Sequence, residues 1–135
     1  MANALYDHGR EGFLDGSIDW DTDDIKTILV DTADYTVDLA AHEDLADVAG
    51  AAIVATSGNL ANKTVAAGVA DADDITFALV TGDPCEAIII YQDTGVAATS
   101  RLIAYIDTAT GLPVTPGGGN IGIAWDSGAN KIFKL

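Results

Sequence analysis

Cysteine is nearly absent from this chain of 135 residues, and its single copy, Cys85, follows a proline in a turn-like stretch. One cysteine excludes an internal disulfide, and we expect it to be a small, semi-buried side chain rather than a nucleophile. A chain of this length can bury enough surface to fold without a disulfide or a metal. The sequence therefore predicts one domain with an ordinary apolar core.

Positive charge is also scarce. Six lysines and arginines stand against 21 aspartates and glutamates, which gives a net charge of −15 at pH 7. Nucleic-acid binding requires cations that neutralise phosphates, and an anionic membrane surface repels an acidic protein. We therefore predict neither nucleic acid nor membrane as a partner. The few cations become candidates for contacts with a partner protein, above all Arg101, Lys131 and Lys134.

Long apolar runs are missing too. The longest strongly apolar stretch, 87–91, is far shorter than the roughly 20 residues of a membrane-spanning helix. Residues 1–10 have no positive cluster followed by an apolar segment, so we predict no secretory signal and expect synthesis in the cytoplasm. Disorder is not expected either, because 49% of the residues are hydrophobic.

The motifs of common catalytic sites are absent from the sequence. Two histidines, His8 and His42, cannot form a three-histidine metal site, and no serine lies in a Gly-x-Ser-x-Gly motif. The triple glycine 117–119 is followed by neither a lysine nor a predicted helix, so it does not match a phosphate-binding loop. We predict that the protein is not an enzyme and uses no cofactor.

An acidic run over residues 19–24 needs a separate test against calcium binding. Asp19, Asp21 and Asp23 match the first three ligand positions of a helix–loop–helix calcium site. The sixth position is Asp24 instead of glycine, and the twelfth is Val30 instead of glutamate. We interpret the run as a solvated approach to the first strand and predict no metal site. Loose Ca²⁺ binding is left open.

Short β-strand signals recur from residue 25 onward. The predicted strands are 26–31, 35–39, 52–56, 63–69, 75–80, 87–91, 101–107, 121–125 and 131–135. Several alternate apolar and polar residues, which predicts a sheet with one buried face, whereas 87–91 is apolar on both faces and is expected to be central. Residues 42–48 predict one short helical turn, and 126–130 predicts a hairpin. The pattern indicates an all-β fold, a jelly-roll-like or related antiparallel β-sandwich.

The first 24 residues differ from the rest of the chain. Three glycines within eight residues make a stable helix improbable there. We predict an N-terminal arm over 1–24 and a single β-sandwich domain over 25–135. The arm could pack on its own domain or reach a neighbouring molecule, and its apolar side chains Leu5, Phe13 and Trp20 are further candidate partner contacts.

Four stretches carry a resemblance to a known family. They are 20–48 (WDTDDIKTILVDTADYTVDLAAHEDLADV), 73–80 (DDITFALV), 89–107 (IIYQDTGVAATSRLIAYID) and 120–133 (NIGIAWDSGANKIF). In the first, a Trp-Asp-x-Asp strand leads into a Tyr-x-x-Asp-x-x-x-His segment. In this order of strands and turns, most of the chain resembles the small head decoration, or cement, proteins of tailed bacteriophages.

The resemblance implies a structural protein of the virion without catalytic residues. Such a protein is made in the host cytoplasm, binds the outer capsid surface, contacts the major capsid protein, and associates with itself as a homodimer or homotrimer. A charge of −15 agrees with an outer position, because a protein facing the packaged genome is expected to be positively charged. Segment 1–24 and the loops 94–100 and 111–119 are the candidate contact regions.

Two other functions are kept as alternatives. The protein could be a different virion β module, associated with the tail, neck or fibre, and copy number would distinguish this role. It could also be a carbohydrate-binding or glycan-hydrolysing β-sandwich, since 21 acids readily supply a pair of carboxylates. This last function requires exposed aromatic rings for sugar stacking, for which Tyr91 and Tyr105 are candidates, whereas Trp125 is expected in the core.

Overall fold

The computed structural model describes residues 3–135, which form ten β-strands, one α-helix and three short 3₁₀ helices. The strands are β1 Ala4–Leu5, β2 Ile25–Val30, β3 Ile53–Thr56, β4 Thr64–Ala66, β5 Val69–Asp71, β6 Ile75–Phe77, β7 Ala87–Gln92, β8 Leu102–Ile106, β9 Ile121–Ile123 and β10 Phe133–Lys134. The α-helix, α1, spans Asp7–Asp15, and the 3₁₀ helices span Leu45–Asp47, Gly50–Ala52 and Ala97–Thr99. All strand pairs are antiparallel, so the predicted all-β antiparallel fold is confirmed.

The largest sheet has five strands in the order β1-β8-β7-β2-β3. Its middle strand, β7, is buried from Ala87 to Tyr91, which confirms the central strand predicted from that apolar run. Because side chains alternate along a strand, Ile88 and Ile90 enter one core, and Ile89 and Tyr91 enter a second core on the opposite face.

The first core lies between the large sheet and two smaller sheets, β10-β5-β4 and β6-β9. Phe77 of β6 and Ile123 of β9 are almost completely buried there, together with Ile88 and Ile90 of β7. Sheets with an apolar layer between them form a β-sandwich-like arrangement. Trp125 belongs to this core, as predicted.

The second core is covered by irregular chain rather than by a sheet. Tyr35, Val48 and Ala52 are buried in it, and Tyr6 joins them from the N-terminal segment. The short helical turn predicted over 42–48 is confirmed as the 3₁₀ helix Leu45–Asp47, whose N-terminus is closed by a capping box.

The strand predicted over 35–39 does not form. The Asp38 carboxylate accepts hydrogen bonds from the backbone N–H groups of Ala40 and Ala41, at 3.2 and 3.0 Å. Local bonds of this kind compete with a strand ladder. The Tyr35 ring turns inward, where its hydroxyl lies 2.9 Å from the Tyr6 hydroxyl.

The prediction against a helix in the N-terminal segment is also wrong. Helix α1 ends at Gly16, which adopts the left-handed conformation with φ of 81°. Gly9 and Gly12 lie on its buried face, where a Cβ on Gly9 would be 2.7 Å from the Leu102 carbonyl oxygen. These glycines lower helix propensity, but Gly9 allows α1 to lie directly on β8, and Gly12 leaves space for the Ile18 and Arg101 side chains. The described part of the segment, residues 3–24, therefore packs on its own domain.

A predicted strand and a predicted hairpin are wrong as well. The strand predicted over 63–69 is divided by a tight turn, in which Ala67 and Gly68 have φ of 52° and 80° and join β4 to β5. Two successive positive φ values suit a two-residue hairpin. The hairpin predicted across 126–130 is not formed, because β9 pairs with β6 and β10 pairs with β5.

Candidate partner-binding surface

Strand β10 brings the C-terminal residues onto the edge of the three-stranded sheet. Phe133 is the register partner of Ala70 in β5, and the Leu135 N–H donates to the Gly68 carbonyl at 2.9 Å. Phe133 then packs between two aromatic rings of the N-terminal segment. Its ring centroid lies 5.7 Å from that of Phe13 and 5.2 Å from that of Trp20, the latter in an edge-to-face geometry.

A groove lies on each side of Phe133. The first, which we call the cationic groove, has a volume of about 360 Å³. Half of its polar lining is cationic, namely Arg10, Lys131 and Lys134, and its apolar lining includes Leu5 and Ile106. It runs along both β1 and β10, the outermost strands of their sheets.

The second groove, which we call the apolar groove, has a volume of about 390 Å³. Phe13, Ile18 and Trp20 line it from the N-terminal segment, and Val65 and Leu135 line it from the three-stranded sheet. Val65 and Leu135 are 58% and 60% exposed, unusually high values for large apolar side chains. The groove therefore offers apolar surface for contact with another molecule.

The two grooves account for five of the six residues predicted as partner contacts. Leu5, Lys131 and Lys134 line the cationic groove, and Phe13 and Trp20 line the apolar groove. Leu5 and Trp20 are buried in the first core and Phe13 packs against it, so these three side chains stabilise their own domain. The lysines remain available at the surface.

Arg101, the sixth predicted contact, lies apart from the grooves beneath helix α1. One guanidinium nitrogen donates to the His8 carbonyl at 3.3 Å, and the other lies 3.6 Å from the Glu43 carboxylate. Its side chain therefore links the helix to the covering segment of the second core.

The remaining cations show how few positive groups are free. Lys26 pairs with Asp93 at 2.8 Å, and this contact lowers the pKa of the Asp93 carboxyl. Lys63 donates to the Asp23 backbone carbonyl, and Arg10 pairs with Asp7 at 3.0 Å. Within residues 3–135, Lys131 and Lys134 form no ion pair. Sequence reasoning had overlooked Arg10, which only the fold brings beside them.

The acidic run 19–24 is organised by hydrogen bonds within the protein. The Asp23 carboxylate accepts from the Asp19 N–H at 2.8 Å and from the Gln92 side-chain amide at 2.7 Å. A hydrogen bond between the Asp19 and Asp21 carboxyl groups lowers the pKa of Asp19 and raises that of Asp21. Across residues 3–135, these side chains do not form a group with metal-ligand spacing.

A different acidic group, unnoticed in the sequence, has the spacing for a cation. Carboxylate oxygens of Asp31, Asp34 and Asp83 lie within 4.8 Å of one another. Asp31 is buried, and one of its oxygens accepts from the Ala33 N–H at 2.9 Å, whereas Asp34 and Asp83 are exposed. A turn brings Asp34 beside Asp31, where the Asp34 N–H donates to the Asp31 carbonyl at 3.1 Å, and Asp83 approaches from a separate loop. Exposed acidic groups are common without a bound ion.

Burial or local hydrogen bonds account for Cys85 and for the two histidines. Burial raises the pKa of the Cys85 thiol to about 11, which disfavours the reactive thiolate. His42 Nδ1 lies 2.7 Å from the Tyr35 hydroxyl and also accepts from the Asp38 N–H. His8 lies beside Glu11 on the surface of α1. These groups are therefore engaged in local hydrogen bonds or packing.

The aromatic residues proposed for sugar stacking are buried: Tyr91 is 3% exposed and Tyr105 is 5% exposed. Neither can present a ring face to a sugar in this conformation, so they lend no support to a carbohydrate site. In residues 3–135, no helix has the length and apolar character needed to cross a membrane. Comparison with protein-family models and with curated proteins finds no match to the chain.

Proposed function

We propose that this protein is a head decoration protein of a tailed bacteriophage, with a jelly-roll-like form of the β-sandwich. It would bind the outer capsid surface and bridge neighbouring subunits of the major capsid protein. The observation that carries the proposal is the surface around Phe133, where five of the six residues predicted as partner contacts line two adjoining grooves. The family resemblance and the acidic charge support the same role.

The physical basis of this function is multivalency. Each copy needs only modest contacts, because many copies joined in a closed symmetric lattice hold a shell together more strongly than any single contact. A protein that binds only the mature shell also stabilises that state by mass action. Association into homodimers or homotrimers would increase the number of linked contacts.

The decisive measurement is the copy number of this protein relative to the major capsid protein in purified virions. Quantitative mass spectrometry should give a near-stoichiometric ratio. A few copies per particle would contradict the decoration role and favour the tail, neck or fibre. Complete absence from virions would contradict both virion roles.

Point substitutions test the surface better than truncation does. Removal of the N-terminal segment would take Leu5 and Tyr6 out of the two cores, so loss of binding would be uninformative. Val65→Asp places a charge in the apolar groove at a side chain that is already 58% exposed. We expect it to weaken binding to particles that lack the protein.

Leu79→Asp is the matched control for this experiment. It makes the same type of change at a side chain that is 75% exposed and lies outside both grooves. Equal losses in the two variants would show a general effect of charge and contradict a role for the apolar groove.

A further inference from the structure

The cationic groove departs sharply from the charge of the whole molecule. Three of the six cations line it, Arg10, Lys131 and Lys134, whereas Asp126 is its one acidic lining residue. Arg10 is partly neutralised by Asp7, but the two lysines have no ion pair within residues 3–135. On a chain with net charge −15, the groove is therefore a local concentration of positively charged side chains.

The groove also lies between two outermost strands. β1 is at one end of the five-stranded sheet, and β10 is at one end of the three-stranded sheet. Residues of both strands line the groove, among them Leu5 and Phe133. The outer side of such a strand presents backbone N–H and C=O groups to which an extended polypeptide can hydrogen bond.

The lining divides into an apolar part and a charged part. Leu5 and Ile106 are buried and Phe133 is half-buried, whereas Arg10 and Lys134 are exposed. Successive side chains of an extended segment point in opposite directions. A segment that alternates acidic and apolar residues would therefore direct its acidic side chains toward the cations and its apolar side chains toward the half-buried Phe133 ring, since Leu5 and Ile106 are packed within the first core.

From these features we infer that the cationic groove binds an extended acidic segment of a partner polypeptide. Strand edges favour a polypeptide over an isolated anion, and the cations select carboxylates by charge complementarity. The groove volume of about 360 Å³ suits a short segment rather than a folded domain. The inference rests on the proposed function only for its biological partner, which would be the capsid shell.

A titration of the isolated protein tests the groove directly. The probe is a synthetic peptide in which glutamate and valine alternate, and backbone amide shifts are followed by NMR. We expect shifts concentrated at 4–5 and 131–134, with binding that weakens as salt is added. The control peptide has glutamine in place of each glutamate, and inorganic phosphate is titrated separately.

Three results would overturn the inference. These are no shifts at millimolar peptide, equal binding of the glutamine peptide, and shifts of the same amides by phosphate alone at equal concentration. The last result would identify a general anion site instead of a polypeptide groove.

Charge variants sharpen the test because they predict effects of opposite sign. The double variant Lys131→Gln/Lys134→Gln should bind the peptide roughly tenfold more weakly, since it removes the two surface ion pairs that these lysines would form with glutamates of the peptide. Asp126→Asn should strengthen binding, because it removes the acidic lining residue while retaining an oxygen that can accept from Gly128 N–H. Asp34→Asn makes the same change in net charge outside the groove and should have little effect. If Asp34→Asn strengthened binding as much as Asp126→Asn, the groove would not be the site.

The peptide titration and the virion copy number can fail independently. Peptide binding by a protein that is absent from virions would retain the groove and remove the decoration role. A near-stoichiometric virion protein whose groove ignores the acidic peptide would retain the role and remove this inference.

Discussion

Gly9→Ala tests whether helix α1 is seated directly on β8. In an exposed helix interior, this change would stabilise the protein by about 1 kcal/mol, because alanine has the higher helix propensity. Here the added Cβ would lie 2.7 Å from the Leu102 carbonyl oxygen and 2.9 Å from Ile103 Cα. Both are backbone atoms, so no side-chain rotation can relieve the overlap, and the helix has to move away from the strand.

We expect the overlap to outweigh the gain in propensity. Overpacking typically costs about 1–3 kcal/mol, so the free energy of unfolding should fall by roughly 1 kcal/mol, and by at most about 2 kcal/mol, after the propensity gain of about 1 kcal/mol is subtracted. Urea unfolding followed by tryptophan fluorescence measures this change, because Trp20 and Trp125 are both buried in the first core.

Gly122→Ala is the matched control. A Cβ at that position would meet no atom within 4 Å, and the residue does not have a positive φ. We expect its effect to remain within about 0.5 kcal/mol. A Gly9→Ala protein as stable as the wild type, or more stable, would refute the close seating of α1 on β8.

Three further predictions concern backbone strain, thiol reactivity and alkaline stability. Leu79→Gly should stabilise the fold by up to about 1 kcal/mol in urea unfolding, because Leu79 has a left-handed φ of 50°; a loss of stability would contradict the strain. The Cys85 thiol, with its pKa raised to about 11 by burial, should resist Ellman's reagent in the folded protein and react after denaturation; rapid reaction of the folded protein would contradict this burial. Burial raises the pKa of Tyr35 to about 12, so the folded state favours its neutral hydroxyl. This contribution is complete below the unfolded pKa of about 10 and is lost as pH rises toward 12. Thermal melts of Tyr35→Phe should therefore show a weaker alkaline dependence than the wild type, and identical alkaline slopes would contradict it.

The all-β class and the central strand could be predicted because they depend on local patterns. The run Ala87–Tyr91 is apolar at every position, its three isoleucines favour a strand, and a strand buries such a run when it is covered on both faces. The 3₁₀ turn at Leu45–Asp47 was predictable for a similar reason, since it lies within one short segment and its capping residues are close in sequence.

The errors arise where distant contacts outweigh local preference. Gly9 and Gly12 argue against a helix in isolation, but Gly9 becomes favourable because α1 lies against β8, more than 80 residues later in the chain, and Gly12 because the Ile18 and Arg101 side chains fill the space above it. Ala67 has a positive φ, which alanine rarely adopts, so its presence does not signal a turn. The alternation of side chains along 63–69 continues through this position, and the turn could not be recognised from the sequence. The partners of β9 and β10 depend on sheet assembly rather than on the turn between them.

The sequence by itself determined the acidic charge, the lack of familiar catalytic motifs and the residue types available for partner contact, because these are properties of composition and local order. Tertiary structure alone decided which of those residues lie close together. In the folded protein, Leu5, Lys131 and Lys134 line one groove together with Arg10, whereas Arg101 lies beneath helix α1. The physical reason is that pairing of β1 with β8 and of β10 with β5 brings residues 3–5 and 130–134 to the same groove, and no local pattern encodes that proximity.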